Sequence, residues 1–191
     1  MKKFGILSIS ILCLLLNGCA SIIDATTSEP IDMDPNKRTV GAMLDDSQLE
    51  TIAKVNIGKA HPDLKSAPIT ITSYNRVVLL TGQVRNAEQR ELAARTVAKL
   101  SKVRQVYNEL QVQAPTSFLA NTNDAWLTTK VKTKLMTSDK VRANRVKVLT
   151  ENGVVYLMGM IPRREAETAA DIASATAGVQ KVVLAVEYTD Q

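Results

Sequence analysis

The sequence predicts an α+β protein containing two copies of one small unit, each with two helices packed on one face of a three-stranded mixed sheet. Three observations lead to this prediction. The hydrophobic pattern of residues 45–113 returns in residues 124–191 at an offset of 76 to 78 residues. Each copy contains two short apolar runs joined by a turn signal, which is the pattern of a β-hairpin. Each copy also carries helical periodicity on both sides of its hairpin, and a unit of about 70 residues buries its apolar surface economically in two layers.

The first segment of the chain is predicted to be an export signal. Lys2 and Lys3 precede an apolar run at 6–16, which is about half of the roughly 20 residues that a membrane span needs. The run ends in Leu-Asn-Gly-Cys and resembles the lipobox of bacterial lipoproteins. That resemblance implies a signal peptide at 1–18 and a diacylglycerol and an N-acyl chain on Cys19. The alternative is an ordinary signal peptide with an incidental cysteine.

Residues 19–44 are predicted to form an acylated N-terminus and a flexible tether. The segment holds Pro30 and Pro35 and has little periodicity. Cys19 is the only cysteine of the mature chain, which rules out a disulfide framework. In lipoproteins the residue after the acylated cysteine directs sorting, and Ala20 at this place implies the periplasmic face of the outer membrane of a Gram-negative bacterium. Several acyl chains would hold the protein there essentially permanently.

The first unit spans 45–113. Asp46 is predicted to open a helix, with residues recurring at helical spacing on its buried face. Asn86 is a suitable N-cap for the second, alanine-rich helix. The residues expected in the core are Leu49, Ala53 and Ile57. The predicted ranges are 69–72 and 77–82 for the hairpin strands, 86 to about 100 for the second helix, and 103–110 for the closing strand.

The second unit spans 124–191 and follows an uncharged stretch at 114–123 that is predicted to be a linker, not a helix. Its hairpin carries the strong Asn-Gly turn signal. Pro162 is expected in the first turn of its second helix and Gly178 at the end of that helix. The residues expected in the core are Leu127, Val131 and Leu135. The predicted ranges are 146–149 and 154–159 for the hairpin strands, 162 to about 177 for the second helix, and 179–186 for the closing strand.

These motifs resemble the BON domain. The resemblance rests on the α-β-β-α-β order, the strands LLTGQV and YLMGMI, the helix NDAWLTTKVKTKL and the hairpin TENGVVYLMG, and it covers nearly the whole chain. Leu184 departs from the closing-strand motif, which would carry Asn there. The resemblance implies a non-enzymatic module that binds phospholipid or envelope components. For a lipoprotein with two such domains it implies binding to anionic phospholipid, a role in outer-membrane integrity and enrichment at division sites.

The first helix of the second unit is the predicted lipid-binding site. When Leu127, Val131 and Leu135 face the core, the only tryptophan of the chain points outward beside lysines, a combination suited to a headgroup layer. The segment 130–147 carries a net charge of +6, which favours an anionic surface. Leu127 also belongs to the core face and is therefore the weakest member of the set. The predicted contact residues are Trp126, Leu127, Thr129, Lys130, Lys132, Thr133 and Met136.

Other interpretations of these residues stay open. Trp126 could fill the interface between the two units, and the lysines could form an ordinary solvated face. The basic surface could also bind an acidic outer-membrane assembly or division protein, which would make the chain a chaperone-like or scaffold protein. Binding to protein-free vesicles discriminates these hypotheses, because only the lipid hypothesis requires it.

Composition excludes several other classes of protein. His61 is the only histidine, so zinc or iron–sulfur sites are not expected, and neither is a cofactor beyond the acyl chains. There is no G-x-S-x-G motif. The adjacent acids Asp45 and Asp46 are expected to cap the first helix, and Glu165 with Glu167 to lie in a helical first turn. We therefore predict no catalytic residues and no small-molecule substrate. Because the chain is predicted to be exported, nucleic-acid binding is not expected. The mature chain keeps 22 basic residues against 19 acids, a charge of only +3.

Overall fold

The computed structural model describes residues 38–114 and 118–190. These residues belong to one compact unit that contains both repeats. The predicted signal peptide, Cys19, Ala20 and most of the predicted tether lie outside the described residues.

The first repeat begins with helix α1, Val40–Ala60, followed by a one-turn helix α2, Pro62–Ser66. The predicted core face of α1 is confirmed, since Leu49, Ala53 and Ile57 are all buried. The predicted start at Asp46 is wrong. Thr39 caps the helix earlier, with its Oγ1 accepting a hydrogen bond from the Ala42 N–H at 3.1 Å, so the end of the predicted tether is helical.

The remaining elements of the first repeat follow the predicted order. They are β1, Ile69–Tyr74; β2, Val77–Val84; α3, Ala87–Ala98; and a closing strand in two pieces, β3, Gln105–Asn108, and β4, Gln111–Val112. Strand β1 is antiparallel to β2, and both closing pieces are parallel to β2. Asn86 caps α3 as predicted, its side chain accepting from the Gln89 N–H at 2.8 Å.

The second repeat has the same order with small differences in its ends. Its elements are α4, Phe118–Met136; a 3-10 turn, Ala143–Arg145; β5, Val146–Glu151; β6, Val154–Ile161; α5, Arg163–Ser174; and β7, Lys181–Tyr188. Because α4 begins at Phe118, the prediction that 114–123 is a non-helical linker is wrong over its second half. Pro162 is the N-cap of α5 rather than a residue of its first turn. Gly178 lies beyond the end of α5 with a positive φ of 103°.

In each repeat a buried carboxylate on the first helix holds the hairpin turn. Asp46 accepts from the backbone N–H groups of Asn75 and Arg76, both at 2.8 Å. At the same place in the second repeat, Asp124 accepts from Asn152 and Gly153 at 2.6 and 2.8 Å. All four turn residues have positive φ, the geometry of a type I′ turn. The expectation that Asp46 caps the first helix is therefore wrong, because its carboxylate is buried one and a half turns inside α1 and bonds the hairpin turn.

A glycine near the end of the second hairpin strand of each repeat permits a close backbone approach. A Cβ atom at Gly82 would lie 2.0 Å from the carbonyl oxygen of Pro68, and one at Gly159 would lie 2.4 Å from that of Arg145. Neither position has room for a side chain. This explains why both LLTGQV and YLMGMI contain a glycine at the same point.

The two sheets pack against each other through the faces that their own helices do not cover. Within β2, Val78 and Leu80 face the helices of the first repeat, whereas Val77 and Leu79 face the other sheet. The residues buried between the sheets are Tyr74, Val77, Leu79, Tyr156, Met158 and Ala185. Polar contacts also cross between the repeats. In the two shortest of these contacts, Gln83 Nε2 donates to Glu151 Oε1 at 2.8 Å, and the Arg104 guanidinium donates to the Glu187 carboxylate at 2.6 Å. The repeats are thus a joined pair, not two domains separated by a loose linker.

Candidate lipid-binding surface

Helix α4 is held in a fixed orientation by its buried face and by its contact with the hairpin. Leu127, Val131 and Leu135 are fully buried, as the helical projection predicts. The bonds from Asp124 to the turn between β5 and β6 fix the helix relative to the sheet. Thr128 adds a hydrogen bond of 2.8 Å to Thr150 on β5. The opposite face of α4 is therefore turned away from the core.

The outward face of α4 carries most of the predicted contact residues. Two large apolar side chains are exposed to solvent, Trp126 to 57% and Met136 to 75%. Thr129, Lys132 and Thr133 are exposed on the same helix. Because Trp126 is exposed, it does not fill the interface between the repeats, which other side chains occupy.

Leu127 does not belong to this surface. Its side chain is 0% exposed, and a Cβ atom at Gly178 would approach its Cδ2 to 2.8 Å. A lipid cannot reach it without opening the core. The inclusion of Leu127 in the contact set is therefore wrong, for the reason already visible in the helical projection, which assigned it to the core face.

The lysines of α4 differ in what they contact. The ammonium of Lys130 lies 4.4 Å from the centroid of the Trp126 ring, a cation–π contact, and 3.5 Å from the carbonyl oxygen of Ala177. Lys134 donates to the carbonyl oxygen of Ala175 at 3.3 Å. Both ammonium groups thus lie just past the end of α5, where the helix dipole favours cations. Lys132 has no ion-pair partner within the part of the chain that the structure describes.

The basic segment 130–147 does not form one continuous surface. Arg142 makes a two-pronged ion pair with the buried carboxylate of Glu165, at 2.7 and 3.0 Å. Lys147 faces Glu50 of the first repeat at 3.7 Å, and burial lowers the pKa of Lys147 despite that nearby carboxylate. The net charge of the segment therefore overstates the charge that a membrane would meet. The exposed part is concentrated on α4 and around Lys140.

Two residues considered for chemistry have structural roles instead. The Nδ1 atom of His61 accepts from the Asp63 N–H at 3.1 Å and so caps α2, a helix that the sequence did not predict. Glu165 lies in the first turn of α5 as expected, but it is buried against Arg142. Within residues 38–114 and 118–190, no group of three or more His, Cys, Asp or Glu side chains is placed to hold a metal ion. That the chain has no catalytic activity stays a prediction.

The architecture and the motifs agree with one family model. A model of the BON domain matches residues 45–114 and again residues 123–190. The chain belongs to the BON-domain family. Each repeat is therefore a BON domain, and α4 is the first helix of BON domain 2. None of the helices in the described ranges is long and apolar enough to cross a membrane.

Curated relatives resemble this BON-domain chain over most of its length. It is 35% identical over 190 residues to the outer membrane lipoprotein DolP of Haemophilus influenzae, covering 100% of this chain and 97% of that protein. It is 35% identical over 156 residues to a 21 kDa hemolysin of Actinobacillus pleuropneumoniae, covering 82% and 79%. It is 30% identical over 166 residues to the osmotically inducible protein Y of Escherichia coli, covering 85% and 81%.

BON domain 1 has a more apolar surface than the sequence indicated. The first helix exposes five large apolar side chains, in addition to the buried face that the sequence predicted. Three of them lie in the first turns of α1, which the predicted start at Asp46 left out. The signal for the earlier start was Thr39, an N-cap residue directly before an apolar residue. The exposed residues are Val40, Met43, Leu44, Ile52 and Val55.

Proposed function

We propose that this protein is an outer-membrane-anchored envelope lipoprotein that binds anionic phospholipid through α4 of BON domain 2. The observation that carries the proposal is the exposed Trp126 ring with the Lys130 ammonium over it, on a helix whose opposite face is locked in the core. An indole ring at the acyl boundary next to a cation at phosphate level suits an anionic bilayer surface. The contact set that we propose is Trp126, Thr129, Lys130, Lys132, Thr133 and Met136.

The expected energies are sufficient for a weak membrane site. Moving the exposed half of the Trp126 side chain out of water removes on the order of 100 Å² of apolar surface, which contributes about 2–3 kcal/mol. Each basic residue near an anionic surface adds about 1 kcal/mol. Lys130 and Lys132 are the nearest candidates. A site of this strength becomes effective when an anchor already holds the protein at the membrane, because the anchor raises the local concentration of the site.

The proposed location rests on the predicted lipobox at Cys19 and on the likeness to a relative named an outer membrane lipoprotein. An acylated Cys19 followed by Ala20 would place both BON domains at the periplasmic face of the outer membrane. There, recognition of anionic phospholipid would concentrate the protein where that lipid is enriched. We propose division sites as such places and support of outer-membrane integrity as the consequence.

The test uses the mature chain with Cys19→Ser, expressed without residues 1–18 so that no acyl chain contributes. Fluorescence of Trp126 is followed during titration with phosphatidylglycerol vesicles and, separately, with phosphatidylcholine vesicles. Because the chain has one tryptophan, the signal reports this helix alone. We expect a blue shift with the anionic vesicles only, weakened by salt. Absence of a shift with either vesicle would refute the proposal.

A variant tests the residue that carries the proposal. Trp126→Glu removes the apolar anchor and adds a negative charge, so co-sedimentation with phosphatidylglycerol vesicles is expected to weaken by about 50-fold or more. The matched control is Val112→Glu, which makes the same charge change at a half-exposed apolar residue of BON domain 1. Both variants are expected to keep the wild-type circular dichroism spectrum. Equal loss in both variants would mean that added charge, not the α4 surface, controls binding.

A second candidate function is binding of an envelope protein partner. The apolar face of α1 favours it, because an exposed apolar face is a common feature of protein interfaces. This function does not require binding to protein-free vesicles. Loss of a co-purified partner in Leu44→Glu, with vesicle binding retained, would support it.

A further inference from the structure

A groove of about 430 Å³ lies in BON domain 1, between α1, α2 and β1. Its volume is within the range of small-ligand sites. The groove shares no residue with the surface of α4 that carries the proposed function. The apolar residues that line it are Val55, Ile57, Leu64, Ala67, Ile69 and Ile71.

The corresponding place in BON domain 2 is much smaller. There the cavity measures about 140 Å³ and is lined by residues at equivalent positions of the repeat, among them Lys132, Leu135 and Val148. Two differences account for the larger groove of the first domain. Gly58 has no side chain where the second domain has Met136, and α2 adds a wall where the second domain has only a 3-10 turn.

The glycine is not required by the backbone. Gly58 lies in the last turns of α1, where glycine costs a helix about 1 kcal/mol relative to alanine. The three atoms nearest to a Cβ atom at this position would belong to Lys65, its backbone Cα among them, at an ordinary contact distance of 3.6 Å. A Cβ atom therefore fits at Gly58 without strain, and the missing side chain leaves the groove open beside this residue.

The rim of the groove is cationic. Lys54, Lys59 and Lys65 line it, and all three are exposed. Within the described ranges none of them is paired with a carboxylate. The nearby acids are engaged elsewhere, since Glu50 accepts from the Ser73 N–H at 2.8 Å and Asp63 accepts from Arg85 and Gln89, each at 3.0 Å. An apolar floor with unpaired ammonium groups at its edge is complementary to an apolar chain with an anionic head.

We propose that the groove of BON domain 1 binds a fatty acid. The acyl chain lies along the floor formed by Ile57, Leu64 and Ile71, and the carboxylate meets the ammonium groups at the rim. One acyl chain with one anionic head matches an apolar groove of this size that three exposed lysines line. The site does not depend on the proposed function of α4.

The test is isothermal titration of dodecanoate, below its micellar concentration, into the mature Cys19→Ser chain. We expect saturable binding of one molecule per chain, and binding of dodecyl maltoside, which has the same chain length and an uncharged head, at least tenfold weaker. Lys54→Gln and Lys65→Gln are each expected to lower the affinity for dodecanoate by about fivefold. Equal affinity for the two amphiphiles, or no saturable binding of dodecanoate, would overturn the proposal.

Two variants that fill the groove locate the site. Gly58→Met introduces the side chain that the second domain carries, and Ala67→Leu fills the groove from the opposite wall; each is expected to lower the affinity at least tenfold. Gly58→Ala is the matched control and is expected to bind within twofold of the wild type. Thermal unfolding shows which variants are folded. If Gly58→Met does not fold, the test relies on Ala67→Leu. A folded filling variant with wild-type affinity would refute the assignment. Trp126→Glu is expected to leave dodecanoate binding unchanged, so failure of this proposal and failure of the vesicle-binding proposal are distinguishable.

Discussion

Replacing Asp124 by alanine is predicted to be among the most destabilising changes of a charged residue in this protein. The Asp124 carboxylate is buried and accepts the N–H groups of Asn152 and Gly153 at 2.6 and 2.8 Å. These bonds join the second turn of α4 to the hairpin of its own domain. Alanine at this position removes both acceptors and leaves two N–H groups of a buried turn without partners.

The magnitude follows from the number and kind of these bonds. A hydrogen bond to a charged acceptor contributes about 1.5–3 kcal/mol to the stability of the fold. A buried N–H group that loses its acceptor costs a comparable amount. Two bonds therefore predict a loss of about 3–6 kcal/mol in the free energy of unfolding. For a chain of this size that corresponds to a decrease of roughly 6–24 °C in Tm. Asp124→Asn keeps one acceptor oxygen and is expected to lose about half as much.

The assay is urea unfolding of the mature Cys19→Ser chain followed by circular dichroism. Asp139→Ala is the control, because it removes the same charge from an exposed position of the same domain; it is expected to change the free energy of unfolding by less than about 0.5 kcal/mol. A loss below about 1 kcal/mol for Asp124→Ala would show that water or other acceptors replace the carboxylate, and the account of the turn given above would be wrong.

Two further predictions concern the backbone approach and the carboxylate of the first domain. Gly159→Ala places a Cβ atom 2.4 Å from a carbonyl oxygen, so the strands must separate, and we expect a loss of at least about 2 kcal/mol in the free energy of unfolding, measured by thermal unfolding. Gly58→Ala is the control and is expected to raise the stability by up to about 1 kcal/mol. Equal effects of the two substitutions would contradict this steric account. Burial opposes ionisation of Asp46, but hydrogen bonds from Ser73, from the backbone and from Arg38 outweigh it and lower the pKa of Asp46. The resulting stability is present above the unfolded pKa near 4 and is lost as the pH falls through the folded pKa. Wild-type Tm is therefore expected to fall more steeply below about pH 5 than that of Asp46→Asn, and parallel curves would exclude this contribution.

Local sequence patterns predicted much of the fold, because each pattern depends only on neighbouring residues. Helical spacing placed Leu127, Val131 and Leu135 in the core and Trp126 outside it, since the geometry of a helix fixes which residues share a face. The turn signal at Asn152 placed the second hairpin correctly. The helix starts were predicted less well. Composition in 19–44 and 114–123 indicated loops, whereas the chain enters α1 and α4 about six residues earlier.

The roles of charged residues depended on partners far away in the sequence. Asp46 looked like a helix cap but bonds a turn 29 and 30 residues away. Lys147 looked like part of a basic surface but faces Glu50 of the other domain. The groove beside Gly58 was not visible in the sequence either, because it requires α2 to stand opposite α1. None of these relations leaves a local pattern, since each is made by elements that meet only after folding.

The sequence by itself determined the repeat, the order of elements and the outward face of α4, because periodicity, turn chemistry and capping act over a few residues. In the structure all eight residues of β2 are buried, so this strand is covered on both faces. Only the tertiary structure decided what covers the second face, namely the sheet of the other domain packed through Tyr74 and Tyr156. The physical reason is that apolar burial is not directional. An apolar face must be buried, but its sequence does not determine which surface covers it. That surface is determined by shape complementarity between segments that are distant in the sequence.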